Sequence, residues 1–265
     1  MSDSYFTEES FHDNWARSID IEQVMLDEYF ETCTAPENRF IMKELGNIKG
    51  KRLLDLGCGA GEASVYLAKK GAIVTAMDVS SEMLKVAMKV AQKHNVEITT
   101  QRSSSININC GDETFDIVYA ANLLHHVNIN STLKEVHRVL KYGGSFVSWD
   151  PILYNPLINI YRKLATEVRT KDEHPLTTRD LDMFKQYFSE VKYHMTWFFT
   201  LLIFVKYYCI DRVHPNKERY WKKILIESKK LQKTYSFLEK LDNVFLKIFP
   251  FMKKYCWNVT VVAKK

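Results

Sequence analysis

The placement of the glycines restricts this chain more than any other feature. All nine lie between Gly46 and Gly144, and positions 145–265 contain none. Five of the six prolines (Pro151, Pro156, Pro175, Pro215, Pro250) fall in that glycine-free part. Glycine turns between short strands and helices suit an α/β layered core, whereas a glycine-free, aromatic-rich tail suits helices packed on one. The change of character comes at about residue 150. Three stretches follow: 1–50, 51–150 and 151–265.

Periodicity fills in the elements. In 1–50, Ile21, Val24, Met25, Glu28 and Tyr29 keep a helical period, and Pro36 can open another helix running to Leu45. Strands and helices then alternate. Strands are expected at 52–56, 72–77, 96–100, 115–121 and 145–149, with helices at 62–70, after a cap at Ser80 or Ser81, and at 131–140. This alternation argues for a parallel sheet with helices on both faces. Beyond 150 the pattern predicts a helix at 179–188, a strand at 191–198 and one long helical stretch at 217–248. A final strand, Trp257–Ala263, would re-enter the sheet and make the C-terminal helices an insertion.

A hydrophobic share of 46% supports a sizeable core and excludes a disordered or fibrous chain. The five cysteines (Cys33, Cys58, Cys110, Cys209, Cys256) are odd in number and form no C-x-x-C pair. No disulfide framework or zinc site is expected, and reduced thiols in a cytosol are the default. The start shows no basic region followed by an apolar stretch, so no secretory signal is expected. The strongest apolar run, Trp197–Val205, falls short of the ~20 residues that span a bilayer. The expectation is a cytoplasmic chain. The net charge of +5 averages two unlike parts: from residue 200 onward Lys+Arg number 15 and Asp+Glu 5, and before it 22 and 27. That basic, aromatic tail leaves peripheral membrane contact open.

The chemistry-bearing stretch is Asp55-Leu-Gly57-Cys-Gly59-Ala-Gly61, between a strand and a helix. Glycines there let a ligand pass close to the backbone, and a helix N-terminus offers free N–H groups. A dinucleotide fingerprint would need glycine at position 62, where this chain has Glu62, a carboxylate unfavourable to a pyrophosphate. The P-loop pattern is absent.

The stretch Leu53-Leu-Asp-Leu-Gly-Cys-Gly-Ala-Gly resembles the glycine motif of class I S-adenosylmethionine-dependent methyltransferases. The resemblance covers residues 50–150. It extends to Ala76-Met-Asp78-Val-Ser-Ser-Glu-Met83-Leu, Phe115-Asp-Ile-Val, Leu124-His-His and Val139-Leu-Lys-Tyr-Gly-Gly, in the family's order, and is nearest the ubiquinone and menaquinone methyltransferase branch. It implies a Rossmann-like three-layer α/β sandwich, with a seven-stranded, mostly parallel sheet whose last strand is antiparallel, plus a helical cap. It also implies S-adenosylmethionine as cofactor and S-adenosylhomocysteine as product. Asp55 would take the α-ammonium, directly or through water. Gly57, Gly59 and Gly61 would permit close approach, and Asp78 would accept the ribose hydroxyls. Val79 and Met83 would pack on the adenine face, and Asn122 would sit beside the methionine part. Where the family often has an acidic residue after the third strand, this chain has Arg102-Ser-Ser-Ser, of which Ser104 is the candidate adenine contact.

Methyl transfer needs alignment first and a base only if the acceptor must lose a proton. His125 and His126, after the fourth strand, are the base candidates. Tyr154, Asn155, Arg169 and His174, after the fifth, are candidates for the acceptor pocket wall. Tyr5, Phe6, Phe11 and Trp15 could close over the cofactor as part of an N-terminal lid. Asp172, Glu173 and His174 are consecutive, and consecutive residues rarely converge on one ion, so no metal is expected. The expected reaction is methylation of an oxygen or carbon of a small or lipid-like acceptor, with no nucleic acid expected. The other classes are an RNA-modifying methyltransferase and a non-catalytic membrane-surface protein that keeps the cofactor fold.

Overall fold

A computed structural model describes the chain over residues 2–165 and 173–265, with side chains from Ser10 onward. Its centre is a seven-stranded sheet: β1 (Arg52–Leu56), β2 (Ile73–Asp78), β3 (Thr99–Arg102), β4 (Phe115–Ala121), β5 (Leu140–Pro151), β6 (Glu190–Thr196) and β7 (Asn258–Lys264). The strand order is β3-β2-β1-β4-β5-β7-β6. Strands β1 to β5 pair in parallel, while β7 runs antiparallel between β5 and β6. The last strand therefore re-enters the sheet as expected.

Alternation within the strands builds two cores, because successive side chains leave opposite faces. Leu54, Val118, Phe146 and Val261 pack on one face with Val136 of helix α6 (Ile129–Val139) and Phe184 of α8 (Thr178–Tyr187). Leu53, Tyr119, Val147 and Val262 pack on the other, with Ile41 of α3 (Pro36–Leu45) and Leu67 of α4 (Glu62–Lys69). Helix α5 (Ser81–Lys93) is capped by Ser80, whose Oγ accepts a hydrogen bond from the Met83 amide at 3.0 Å. Helix α1 (Ser2–Arg17) lies against α5, tied by Ser80 Oγ donating to Asp13 at 2.5 Å. A third, aromatic cluster of Trp197, Phe204, Tyr207, Tyr220 and Tyr235 holds together α9 (Leu202–Cys209), α10 (Tyr220–Ile226) and α11 (Ser228–Ile248).

Several elements differ from the sequence pattern. The segment 21–29 is not one helix but a 3-10 turn, Ile21–Gln23, capped by Asp20, and then α2 (Asp27–Glu31). Strand β3 begins at Thr99, because Val96 packs with the α1–α5 cluster instead of the sheet. The stretch 217–248 is two helices, not one. The Thr34 hydroxyl donates to the Ile224 carbonyl, and the Cys33 thiol reaches the Ser228 carbonyl, on either side of the break at Glu227. No helix among the described residues is long and apolar enough to cross a membrane.

Candidate active site

Strand β1 leads through α4 to β2, while its other neighbour, β4, leads through α6 to β5. The chain thus diverges at the β1/β4 boundary, and open α/β sheets bind ligands at the carboxyl ends of strands at such a switch point. A cavity of about 440 Å³ opens there, lined by the segments after β1, β2, β4 and β5 and by parts of the N-terminal and C-terminal helices. That volume is ample for a small molecule, whose sites run ~300–1,000 Å³.

The glycines of the loop after β1 act in different ways. Gly61, at φ +86°, begins α4, and a Cβ there would lie 2.7 Å from Ala87 Cβ and 2.9 Å from Ala87 Cα; it lets α4 and α5 touch. Gly59, at φ +50°, lines the cavity, and a Cβ there would meet nothing within 4 Å. Its backbone is bare toward the space a ligand would fill. Asp78 holds this loop from β2: its Oδ2 accepts from the Gly59 amide at 3.0 Å and its Oδ1 from the Ser80 amide at 2.9 Å.

Acidic groups line the same end of the cavity. Asp55 is 1% exposed and accepts a hydrogen bond from Ser64 Oγ at 2.5 Å. Burial raises its carboxyl to about 7, with nearby Glu62 and Asp78 adding to the rise. Burial also raises Asp78 and Glu62. Carboxyl groups desolvated side by side favour a cationic ligand, which would return them to their ionised forms. Asp55 therefore has a pH signature. Its folded pKa lies above the ordinary 3.8, so the native state binds more protons and its contribution to stability is lost as pH rises from about 4 through about 7. Thermal unfolding of the unliganded protein should show Asp55→Asn losing less stability than the parent across that window. An unchanged slope would contradict the buried, protonated carboxyl.

At the other end, His125 is buried and its Nδ1 lies 2.8 Å from Asp150 Oδ1, which also accepts from the His125 amide at 3.3 Å. Asp150 closes β5, is fully buried, and is pushed up to about 8 by that burial. The His126 ring stands 4.1 Å from that of His125. Glu173 brings a carboxylate oxygen to the pair, so that one ligand atom from each of the three lies within 4.8 Å of the others. That spacing suits proton exchange, and it also suits a divalent cation held by two imidazoles and a carboxylate. The convergence is tertiary; it is not the consecutive Asp172-Glu173-His174 run of the sequence.

Across the mouth, Trp15 of α1 and Arg219, the residue before α10, meet with the guanidinium 4.7 Å from the ring centre. Phe11 and His12 line the same wall; the side chains of Tyr5 and Phe6 lie outside the described residues.

Of the residues singled out by sequence, Asp55, Gly57, Gly59, Asp78, Val79, Asn122, His125 and His126 line the cavity. Asn122 does so in the left-handed region at φ +52°, its amide held by the Trp149 carbonyl at 2.9 Å. Phe11, Trp15 and Glu173 also line it; the remaining described ones do not. Met83 is fully buried in the α1–α5 cluster, and Gly61 serves helix packing. Ser104 turns its hydroxyl to the Ile106 amide at 3.3 Å, while its neighbours Ser103 and Ser105 reach the cavity. Asn155 caps α7 (Pro156–Leu164) through Ile158 N at 3.0 Å and also holds the Tyr255 carbonyl. Tyr154 bonds Thr178 outside the cavity. His174 gives its amide to the His125 carbonyl at 2.8 Å and lines a separate hollow beside Val127. Arg169 and Asp172 lie outside the described residues. Sequence reasoning missed Tyr29, Trp149, Arg162 and Arg219, which line the cavity from distant parts of the chain.

Comparison with known proteins fits this geometry. Residues 54–148 match the methyltransferase domain family. An uncharacterized methyltransferase of Synechocystis is 37% identical over 121 residues, which are 43% of this chain and 55% of that protein. A ubiquinone biosynthesis O-methyltransferase of Pasteurella multocida is 37% identical over 116 residues, 40% of this chain and 48% of that one. The chain spans about half the length of the curated relatives it matches. In fold, a SAM-dependent methyltransferase from Thermotoga maritima aligns over 99% of both chains with a TM-score of 0.58 at 17% identity. The sheet and the motif-bearing loops thus define a Rossmann-like methyltransferase domain. Residues 54–148 are a methyltransferase domain, with the sheet and loops of the class I S-adenosylmethionine-dependent kind.

Proposed function

We propose that the protein transfers a methyl group from S-adenosylmethionine to an oxygen or carbon of a small or lipid-like acceptor, leaving S-adenosylhomocysteine. The observation that carries this is one cavity lined both by the desolvated carboxyls of Asp55, Glu62 and Asp78 and by His125, whose ring meets Asp150. The cofactor would supply a methyl group already activated on a sulfonium. Asp55 and Glu62 suit its cationic part, and Gly59 admits it against the backbone. Asp78 has carboxylate oxygens at the cavity wall for hydroxyl groups. Met83 and Ser104, by their positions, are better read as structural.

The chain's own chemistry is then proton handling and exclusion of water. With Nδ1 of His125 donating to Asp150, Nε2 is the ring nitrogen that accepts a proton from an acceptor hydroxyl or an acidic carbon. His126 and Glu173 border that position. Residues 1–50 would act as lid, 51–150 as cofactor body and 151–265 as acceptor side, with Trp15 and Arg219 joining the first and last across the mouth. The similarity to ubiquinone O-methyltransferases supports a small-molecule acceptor.

Asp78→Ala should weaken S-adenosylmethionine binding at least tenfold by titration calorimetry, since it removes hydroxyl acceptors and releases the Gly59 and Ser80 amides. Affinity within error of the parent would refute the cofactor assignment.

A further inference from the structure

Helix α11 carries two apolar faces, and only one is used inside the protein. Leu231, Tyr235 and Leu246 turn inward, with Asp242 buried beside them to accept hydrogen bonds from the Phe199 amide and the Thr200 hydroxyl. About a third of a turn away, Phe237, Leu241, Val244 and Ile248 recur at i, i+4, i+7 and i+11, so they form one stripe. They are 62%, 41%, 59% and 62% exposed, and Phe251, just past the helix, is 67% exposed. Large apolar side chains in continuous exposure mark an interaction surface.

The charges beside the stripe are all of one sign. Lys233, Lys240 and Lys247, seven residues apart, follow one edge, and Lys253 and Lys254 come just past the helix in sequence. Over 228–254 the acids are Glu239 and Asp242. Glu239 is paired with Arg39 at 2.6 Å and Asp242 is buried. The exposed face is thus apolar with a lysine border and no uncommitted carboxylate among the described residues.

We propose that this face of α11 and the adjoining Phe251 dock on an anionic lipid surface, the helix lying in the interface plane. An amphipathic helix with lysines bordering large apolar groups binds bilayers in this way, the lysines meeting phosphate and serine headgroups while the apolar stripe enters the acyl boundary. The other occupants fit less well. A second copy would pair the stripe by two-fold symmetry and bring two lysine rows together. A nucleic acid would use the lysines and leave the apolar side chains in water. The surface does not depend on methyl transfer, and its test does not involve turnover.

The full chain should co-sediment with vesicles of equimolar phosphatidylcholine and phosphatidylserine, and at least tenfold less with pure phosphatidylcholine vesicles. Binding should fall at least tenfold in Phe237→Ser/Val244→Ser/Ile248→Ser and, separately, in Lys233→Glu/Lys240→Glu/Lys247→Glu. These positions are exposed, so thermal unfolding should match the parent; if the serine variant unfolds early, the lysine variant carries the test. Equal binding to both vesicle types, or variants that bind like the parent, would overturn the proposal. So would a concentration-dependent dimer, seen by analytical ultracentrifugation, that the serine variant abolishes, or tight salt-sensitive RNA binding by a chain that ignores the vesicles.

Discussion

Asp150→Asn is expected to lower kcat by about 10²–10⁴-fold while leaving the cofactor's Kd unchanged, the range that loss of a positioned proton acceptor produces. The residue touches the His125 ring and its amide through one oxygen, and it stands near the end of β5, two strands from Asp55 in β1. An asparagine can donate to Nδ1, which places the ring proton on Nε2 and removes the base. The pH dependence gives the sharper test. Burial lifts the Asp150 carboxyl to about 8, so below that pH the pair keeps an extra proton, and above it the ionised carboxylate leaves His125 as a neutral acceptor. For the parent, kcat should rise with pH through about 8 and then level off; in Asp150→Asn that step should vanish. An unshifted profile with near-parent kcat would remove this pair from proton transfer.

The second large effect concerns the body that holds the cofactor loop. Gly61→Ala should destabilise the protein by about 2–5 kcal/mol, combining ~1–2 kcal/mol for a left-handed L-residue with ~1–3 kcal/mol for overpacking. The added Cβ would lie 2.7 Å from Ala87 Cβ, and neither helix can yield without moving its backbone. For a chain of this size that corresponds to a fall in Tm of roughly 5–15 °C. The double variant Gly61→Ala/Ala87→Gly should recover only part of the packing loss, because Ala87 Cα still lies 2.9 Å from the added Cβ, and should retain the conformational part. Full recovery would show that φ at Gly61 is unimportant; no recovery would show that the Ala87 methyl is not the obstacle.

Local chemistry was legible wherever local sequence determines it. Gly57, Gly59, Asp55 and Asp78 sit at strand ends and turns, where neighbouring residues dictate the geometry, and all four line the cavity. Asn155 was readable too, for a different purpose. An Asn directly before Pro156 is an N-cap before proline at the first helical position, and capping is its use here. Ser104 and Met83 follow the motifs in order, yet a turn and a helix face point them elsewhere. The mouth is another matter. Trp15 meets Arg219 from the far end of the chain, and Glu173 meets two histidines that precede it by nearly fifty positions. No periodicity encodes such meetings; only the way the sheet and cap fold together produces them. The break at Glu227 is equally tertiary, made by Cys33 and Thr34 at the two helix ends.

Thr196 and Asn258 face each other in the register of β6 and β7. Everything between them, including α9, α10 and α11, is therefore an excursion from a single antiparallel hairpin, leaving and rejoining the sheet at one rung. The loop-closure cost of such an excursion grows only as the logarithm of its length, about 0.6 kcal/mol per doubling. The sheet is thus nearly indifferent to what the hairpin carries. A chain built this way can exchange its cap while its strands keep their register, and the segment between Thr196 and Asn258 can diversify at a different pace from the part that holds the loop after β1.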